Sequence, residues 1–243
     1  MRVRDKIKKP QRPVVAYEIL PPREKDGTLN TYAETISSLL SQTHIDAINI
    51  PEVHDEIGRG ERPVSNQERG EPRKFGMLLQ DIVGIEAIIN RVVVHMPKKK
   101  QMEWIQETHS KYEIDNLIVV GGESSKQQYP GPTVNESLKK ISEYNRHRKS
   151  NILCGGICIP SRKKESKNLI RKSEFGAEFF TTQVLCDSDN VIKMIKNYQE
   201  RCDRLNTFPR RILLSFAPVS SQKNINFLKW LGVEIPKDTE KYL

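Results

Sequence analysis

Residues 14–23 read Val-Val-Ala-Tyr-Glu-Ile-Leu-Pro-Pro-Arg, and the interpretation of the whole chain starts from this stretch. β-Branched and aromatic residues favour a strand, and the Pro-Pro pair ends it because proline cannot donate a ladder hydrogen bond. Glu18 is therefore predicted at the carboxyl end of the first strand. Parallel-sheet proteins bind ligands and place catalytic acids at this edge. The alternative is a structural Glu18 that pairs with Arg23 or caps a turn.

Predicted strands and helices alternate from this point onward, as judged from apolar periodicity and turn residues. The predicted strands cover residues 14–19, 45–50, 87–95, 117–120, 151–159, 177–183 and 211–216. The predicted helices cover residues 29–40, 75–83, 99–112, 134–147, 164–174, 190–205 and 224–231. Strict alternation implies parallel strands joined by right-handed crossovers.

Seven such units indicate an α/β protein with a TIM-barrel-like (β/α) barrel whose eighth unit is missing. A doubly wound sheet would need a Gly-rich first turn to bind phosphate, whereas this first turn contains Pro21 and Pro22. The predicted organisation is a basic, mobile N-terminal extension, residues 1–12, followed by a single barrel-like domain, residues 13–243. The polar segment over residues 52–73 is expected to be a lid, a ligand contact or a flexible loop.

Composition excludes several classes of protein. The chain has 243 residues, 36% of them apolar, and lacks an apolar run of about 20 residues, so we expect a cytoplasmic protein without a membrane span. The formal net charge of +9 is dispersed and accompanies no nucleic-acid-binding motif, which disfavours nucleic acid as a partner. The four cysteines are too scattered for a disulfide framework and have no zinc spacing, so no metal site is expected.

Polar residues occur at the ends of several predicted strands. Glu18 ends the first strand, Asn49 lies near the end of the second, and Glu123 follows the fourth. Thr182 and Gln183 end the sixth strand. In a barrel the carboxyl ends of the strands share one face, where barrel enzymes place their active sites. These side chains are therefore predicted to lie in one site.

Four motifs in the same order resemble the methylenetetrahydrofolate reductase family, over residues 14–236. Residues 17–23, Tyr-Glu-Ile-Leu-Pro-Pro-Arg, are similar to the family's Phe-Glu-Phe-Phe-Pro-Pro-Arg, and residues 121–123, Gly-Gly-Glu, lie where the family has Arg-Gly-Asp. Residues 182–187, Thr-Gln-Val-Leu-Cys-Asp, and residues 217–220, Ala-Pro-Val-Ser, match Thr-Gln-Phe-Phe-Phe-Asp and Leu-Pro-Val-Ser. The resemblance implies a (β/α)₈ flavoprotein of one-carbon and methionine metabolism. It would use NAD(P)H and FAD to reduce 5,10-methylenetetrahydrofolate to 5-methyltetrahydrofolate.

The resemblance also implies roles for single residues. Glu18 would be the general acid that protonates the folate and opens its one-carbon bridge, which requires a raised pKa and a partly buried carboxyl. Glu123 and Gln183 would bind the substrate, and Asn49 is expected to join them because of its position near the end of the second strand. The residues implied to bind or position the cofactor are Gly122, Thr182, Asp187, Arg162 and His95. Two structural alternatives remain, because Gln183 can satisfy strand-end backbone groups and Asp187 can cap a helix.

The departures from the family pattern concern mainly the flavin. The Arg of Arg-Gly-Asp is Gly121 here, and the family's aromatic residue after the fifth strand is absent. Arg162 is a candidate substitute for the missing cation, and His95 corresponds to the family's His-Leu-Thr run only with a shift. The alternative function is a non-catalytic or partner-dependent pterin-binding subunit that has lost its own flavin site. A sheet without an eighth strand leaves two edges uncovered, so a homo-oligomer or a partner subunit is expected.

Overall fold

The structure is a computed structural model that describes residues 2–9, 12–54, 61–63, 67–122 and 127–240. Within these ranges seven strands alternate with helices in a TIM-barrel-like β/α fold, and the strand order in the sheet follows the chain. The strands are β1 (Ala16–Glu18), β2 (Ala47–Pro51), β3 (Ala87–Val92), β4 (Asn116–Val120), β5 (Leu153–Cys158), β6 (Phe179–Val184) and β7 (Arg211–Ser215). The helices are α1 (Val3–Lys8), α2 (Leu29–Leu40), α3 (Pro72–Val83), α4 (Lys98–Ser110), α5 (Val134–Arg148), α6 (Glu165–Glu174), α7 (Asp189–Arg204), α8 (Gln222–Trp230) and α9 (Lys237–Glu240). The predicted fold class is confirmed.

Two compact units make up the chain, and unit 1 comprises residues 1–54 and 67–155. Strands β1 to β4 pair in parallel, with Glu18 opposite Asn49 and Pro51 opposite Asn90. Strands β2 and β4 are buried along almost their whole length, which is why their sequences are nearly continuous apolar runs. Helices α2 and α3 cover this sheet through side chains such as Ala33 and Phe75, which are fully buried.

Helix α1 belongs to unit 1, so the prediction of a mobile leader is wrong for this segment. Val3 and Ile7 are only 1% and 3% exposed. The backbone N–H of Val3 donates to Oε2 of Glu86 at 2.6 Å, and Lys6 forms an ion pair with Asp46 at 2.9 Å. Because these two carboxylates precede β3 and β2, α1 packs at the amino ends of those strands. The predicted domain boundary after residue 12 stays a prediction.

Unit 2 comprises residues 55–66 and 156–243. Its strands β6 and β7 pair in parallel with a register irregularity between Thr181 and Val184. Phe179 and Phe180 are fully buried, and Tyr198 of α7 packs edge-on against Phe180 at 6.3 Å. Helices α6 and α7 lie against each other and provide the apolar cover for this part of the chain.

Strand β3 ends earlier than predicted. The apolar run over residues 87–95 predicts strand throughout, but Val93–His95 form a 3₁₀ turn. The backbone N–H of Gly131 donates to the carbonyl oxygen of Val94 at 2.8 Å, which holds this turn from a distant part of the chain. Such a long-range contact leaves no local signal in the sequence.

The polar segment over residues 52–73 includes residues 55–60 and 64–66, which lie outside the described residues. Its later part is attached to the Pro-Pro stretch, because Gly70 N–H donates to the Pro22 carbonyl at 2.9 Å and Arg69 to the Pro21 carbonyl at 2.8 Å. None of the helices in the described ranges combines the length and apolar character needed to cross a membrane.

Candidate functional site

Glu18 occupies the last position of β1, directly before the turn that contains the Pro-Pro pair. Its Oε2 accepts a hydrogen bond from Nδ2 of Asn49, the opposite residue in β2, at 2.8 Å. Arg23, the partner in the structural alternative, instead forms an ion pair with Asp26 at 2.7 Å. Glu18 and Asn49 are therefore brought together as predicted for two site residues.

The Glu18 carboxyl group is in an environment that favours its protonated form. Glu18 is exposed rather than partly buried as predicted. Its pKa is nevertheless raised above 4.5, because surrounding protein atoms displace solvating water. The hydrogen bond from Asn49 lowers the pKa but is the smaller effect. The pKa shift has the direction that a general acid requires, and the acid role of Glu18 stays a prediction.

Asn90 is a residue that the sequence interpretation missed. It lies in β3 opposite Pro51, on the sheet face that Asn49 also shares, since side chains two apart in a strand point to the same side. The Oδ1 atoms of Asn49 and Asn90 are both buried and accept no hydrogen bond from any described residue. The signal in the sequence was an amide within the apolar run that starts at Ala87.

Glu52 and Arg91 form a second polar pair that the sequence interpretation missed. Their side chains make an ion pair, and Glu52 Oε2 also accepts from the backbone N–H of Val92 at 3.0 Å. Burial raises the pKa of Glu52, but the hydrogen bond with His54 and the charge of Arg91 outweigh burial and lower it overall. Arg91 is 4% exposed and lies 4.2 Å from the ring centre of Trp104 in α4. Because Arg91 points to the helix layer, this pair joins β2, β3 and α4.

His95 and Gly122 both contact the ring of Tyr129. The ring centres of His95 and Tyr129 are 5.7 Å apart in an edge-on arrangement, and His54 lies 4.7 Å from His95 on another side. A Cβ atom on Gly122 would lie 2.5 Å from Cε2 of Tyr129, so a larger residue there would displace this ring. The predicted cofactor roles of His95 and Gly122 stay predictions. Glu123 lies outside the described residues.

In unit 2, Thr182 and Gln183 use their polar groups within the protein. The Oγ1 of Thr182 accepts from the backbone N–H of Ser215 at 2.9 Å. The Nε2 of Gln183 donates to the Leu231 carbonyl at 3.2 Å, and its Oε1 accepts from the N–H of Val184 at 3.1 Å. Gln183 thus makes hydrogen bonds with backbone groups, as its structural alternative predicts. Its predicted substrate role stays a prediction.

Asp187 and Arg162 flank the ends of β6 and β5. Asp187 accepts from the N–H of Asp189 at 2.9 Å and from Nδ2 of Asn190 at 2.9 Å, so it caps the first turn of α7. Arg162 approaches the buried carboxylate of Glu165 at 3.5 Å while half of its side chain stays exposed. Asp187 and Gln183 line one recess, whose other residues include Ile159, Ser161 and Cys186. The structure brings Gln183 and Asp187 together in unit 2.

Comparisons with known proteins provide independent findings. The sequence profile of the family described as methylenetetrahydrofolate reductase matches residues 2–243. Comparison with curated proteins gives no match.

Solved structures with the same fold include an uncharacterized protein from Clostridium thermocellum that binds two copies of 5-methyl-5,6,7,8-tetrahydrofolic acid. It is 20% identical, the alignment covers 99% of this chain and 79% of that chain, and the TM-score is 0.78. A 2,3-dimethylmalate lyase is 12% identical over 96% of this chain and 78% of that chain, with a TM-score of 0.56. An oxaloacetate acetylhydrolase is 8% identical over 99% and 81% of the two chains, with a TM-score of 0.54. At these identities the likeness shows the fold alone.

Proposed function

The chain belongs to the methylenetetrahydrofolate reductase family, and on this premise we propose that it reduces a 5,10-methylene-tetrahydropterin to the 5-methyl form. The pterin is tetrahydrofolate or an analogue such as tetrahydromethanopterin, and the reaction feeds one-carbon and methionine metabolism. The observation that carries the proposal is Glu18, a solvent-accessible carboxyl with a raised pKa at a strand end, hydrogen-bonded to Asn49. The similarly folded Clostridium thermocellum protein binds the product form of such a pterin, which supports this ligand class.

Glu18 supplies the proton of the proposed reaction. A carboxyl group with a raised pKa stays protonated closer to neutral pH, as a general acid requires. Proton transfer from Glu18 to N10 of the substrate breaks the bond from N10 to the bridging carbon and leaves an iminium at N5. A hydride from NAD(P)H then reduces this carbon to the methyl group, so each turnover consumes one hydride and one proton. Asn49 holds one oxygen of Glu18 in place, which leaves the other oxygen to carry the proton.

Three of the residues predicted to hold FAD make contacts within their own unit. Thr182 and Asp187 use their oxygens within unit 2, and Gly122 lies beside the ring of Tyr129. The cation of the family's Arg-Gly-Asp is replaced by Gly121. We therefore derive no step through a flavin and propose NAD(P)H as the source of the hydride. The visible absorbance of the purified protein tests FAD directly.

The acid role is tested by substituting Glu18 with glutamine. Glu18→Gln is expected to lower methylene-pterin-dependent oxidation of NAD(P)H by about 100-fold or more, because a positioned general acid contributes about 10²- to 10⁴-fold. Steady-state kinetics over a pH series is the measurement, and the wild-type rate is expected to fall as pH rises past the pKa of Glu18. Glu34→Gln, on the exposed side of α2, is the control and should keep wild-type activity. Unchanged activity of Glu18→Gln would refute the acid role.

A pterin-binding subunit without reductase activity is the second candidate. The internal hydrogen bonds of Thr182 and Asp187 favour it, because these oxygens are then structural. Calorimetry with 5-methyltetrahydrofolate distinguishes the candidates when it is combined with the activity assay. Binding without flavin absorbance and without NAD(P)H oxidation would favour the subunit. Assembly as a homo-oligomer or with a partner subunit stays a prediction.

A further inference from the structure

We infer that Asn49 and Asn90 form a pair of hydrogen-bond acceptors for N–H groups on the ring of a tetrahydropterin, beside Glu18. This inference rests on the proposed function and specifies which atoms of the protein face the ring. Its basis is the two amide oxygens, which are buried in unit 1 without a donor among the described residues.

The orientation of the Asn49 amide is fixed by Glu18. The Nδ2 of Asn49 donates to Oε2 of Glu18 at 2.8 Å, and this oxygen accepts both in the ionised carboxylate and in the acid that carries its proton on the other oxygen. The Oδ1 of Asn49 consequently points away from Glu18. Asn49 is only 9% exposed, and a buried amide oxygen is costly unless a donor satisfies it. A ligand next to Glu18 can supply that donor.

Asn90 extends the acceptor surface to the next strand. Its position opposite Pro51 places it two residues beyond Asn49 on the same face of the sheet. Neighbouring strands are about 4.8 Å apart and two residues rise about 6.6 Å, which puts the two Cα atoms about 8 Å apart. A rigid ligand with N–H groups at two separate points can therefore donate to both amide oxygens.

The ring of a tetrahydropterin meets this requirement. It is a bicyclic system with an amino group and ring N–H groups distributed along its edge, and its one-carbon unit bridges N5 of the ring to N10, the atom that Glu18 protonates in the proposed reaction. Asn90, Asn49 and Glu18 lie on β3, β2 and β1, so they form a polar row across three adjacent strands. In this row the two amides recognise the ring, and the carboxyl group of Glu18 transfers the proton.

The test measures folding and binding of the same variants. Asn90→Leu replaces an oxygen that has no described protein donor, so the melting temperature of the free protein should be unchanged or higher. The same variant should bind 5-methyltetrahydrofolate about 5- to 10-fold more weakly in isothermal titration calorimetry, as the loss of one hydrogen bond predicts. Ser137→Ala is the matched control, because it removes another buried oxygen without a described donor, on α5. It should leave the affinity unchanged.

The outcomes separate this inference from the proposed function. Wild-type affinity in Asn90→Leu, with wild-type protein that binds the pterin, overturns the acceptor pair and leaves the proposed function intact. A wild-type protein that fails to bind 5-methyltetrahydrofolate refutes both. If Asn90→Leu does not fold, Asn90→Ala gives the affinity comparison, and wild-type affinity in that variant overturns the acceptor pair.

Discussion

Two opposing effects act on the carboxyl group of Glu18. The protein atoms around it displace water and raise its pKa, and the hydrogen bond from Asn49 lowers the pKa by stabilising the ionised form. The first effect is larger, so the folded protein holds the proton of Glu18 more tightly than the unfolded chain does. A general acid needs this property, and it carries a cost in stability.

The cost predicts a pH-dependent effect of Glu18→Gln on folding. The folded-state pKa is raised above 4.5, so the free energy of unfolding of the wild type falls as pH rises from that value through the raised pKa. Glutamine cannot ionise and avoids this loss. Urea denaturation should therefore show Glu18→Gln gaining stability relative to the wild type between pH 4 and pH 7.5.

The pKa of Asp26 is shifted in the opposite direction from that of Glu18. Its hydrogen bonds with Arg23 lower its pKa to about 2, so its ionised form stabilises the fold above the unfolded-state pKa of 3.8 and this contribution is lost as pH falls towards 2. Asp26→Asn should consequently lose stability relative to the wild type as pH rises from about 2 to about 4. A relative change of the same sign in both variants would contradict the assigned pKa directions.

The connection between β4 and α5 is held against the end of β3 by Gly131. A Cβ atom there would lie 2.6 Å from the carbonyl oxygen of Met96 and would also overlap Val93. These contacts are backbone atoms, which cannot rotate away as a side chain can. The 3₁₀ turn that carries His95 therefore depends on a glycine more than 30 residues further along the chain.

Gly131→Ala is expected to lower the free energy of unfolding by about 1–3 kcal/mol or more, the typical cost of overpacking. Gly121→Ala is the matched control in the same connection, because its Cβ would meet only a methyl group of Val134 at 3.2 Å. That substitution should cost clearly less. Chemical denaturation of the two variants measures the difference, and equal losses would mean that the backbone approach of Gly131 is unimportant.

The elements that the sequence predicts well are those with local causes. Helix α2 has Thr28 as its N-cap and apolar residues at helical spacing, and the Pro-Pro pair after Glu18 ends β1 without help from elsewhere. The turn that follows β3 is different, because it is held by a hydrogen bond from Gly131 in a distant part of the chain. The residues of the candidate site also divide into those with local causes and those with long-range causes. The strand-end position of Glu18 follows from local signals, whereas the internal bonds of Thr182 depend on β7 and those of Gln183 on the end of α8.

Helix α1 lies outside the predicted barrel domain, but its apolar residues are buried in the core of unit 1. A six-residue helix with three basic residues has too few apolar positions for periodicity to reveal it. Val3 and Ile7 are four residues apart and face the same side, where Glu86 and Asp46 fix the helix by polar contacts. The basic character of the segment is therefore used in folding, at the amino ends of β2 and β3.

This role predicts a large stability loss when Ile7 is truncated. Ile7→Ala should lower the free energy of unfolding by about 2–5 kcal/mol, the range for removing a buried isoleucine, because the site is 3% exposed. Asp5→Ala, on the exposed side of the same helix, is the control and should change stability by less than about 0.5 kcal/mol. Guanidinium denaturation followed by far-UV circular dichroism measures both variants. A mobile leader would give no loss in either variant, so the difference between Ile7→Ala and Asp5→Ala decides whether α1 is part of the folded body of unit 1.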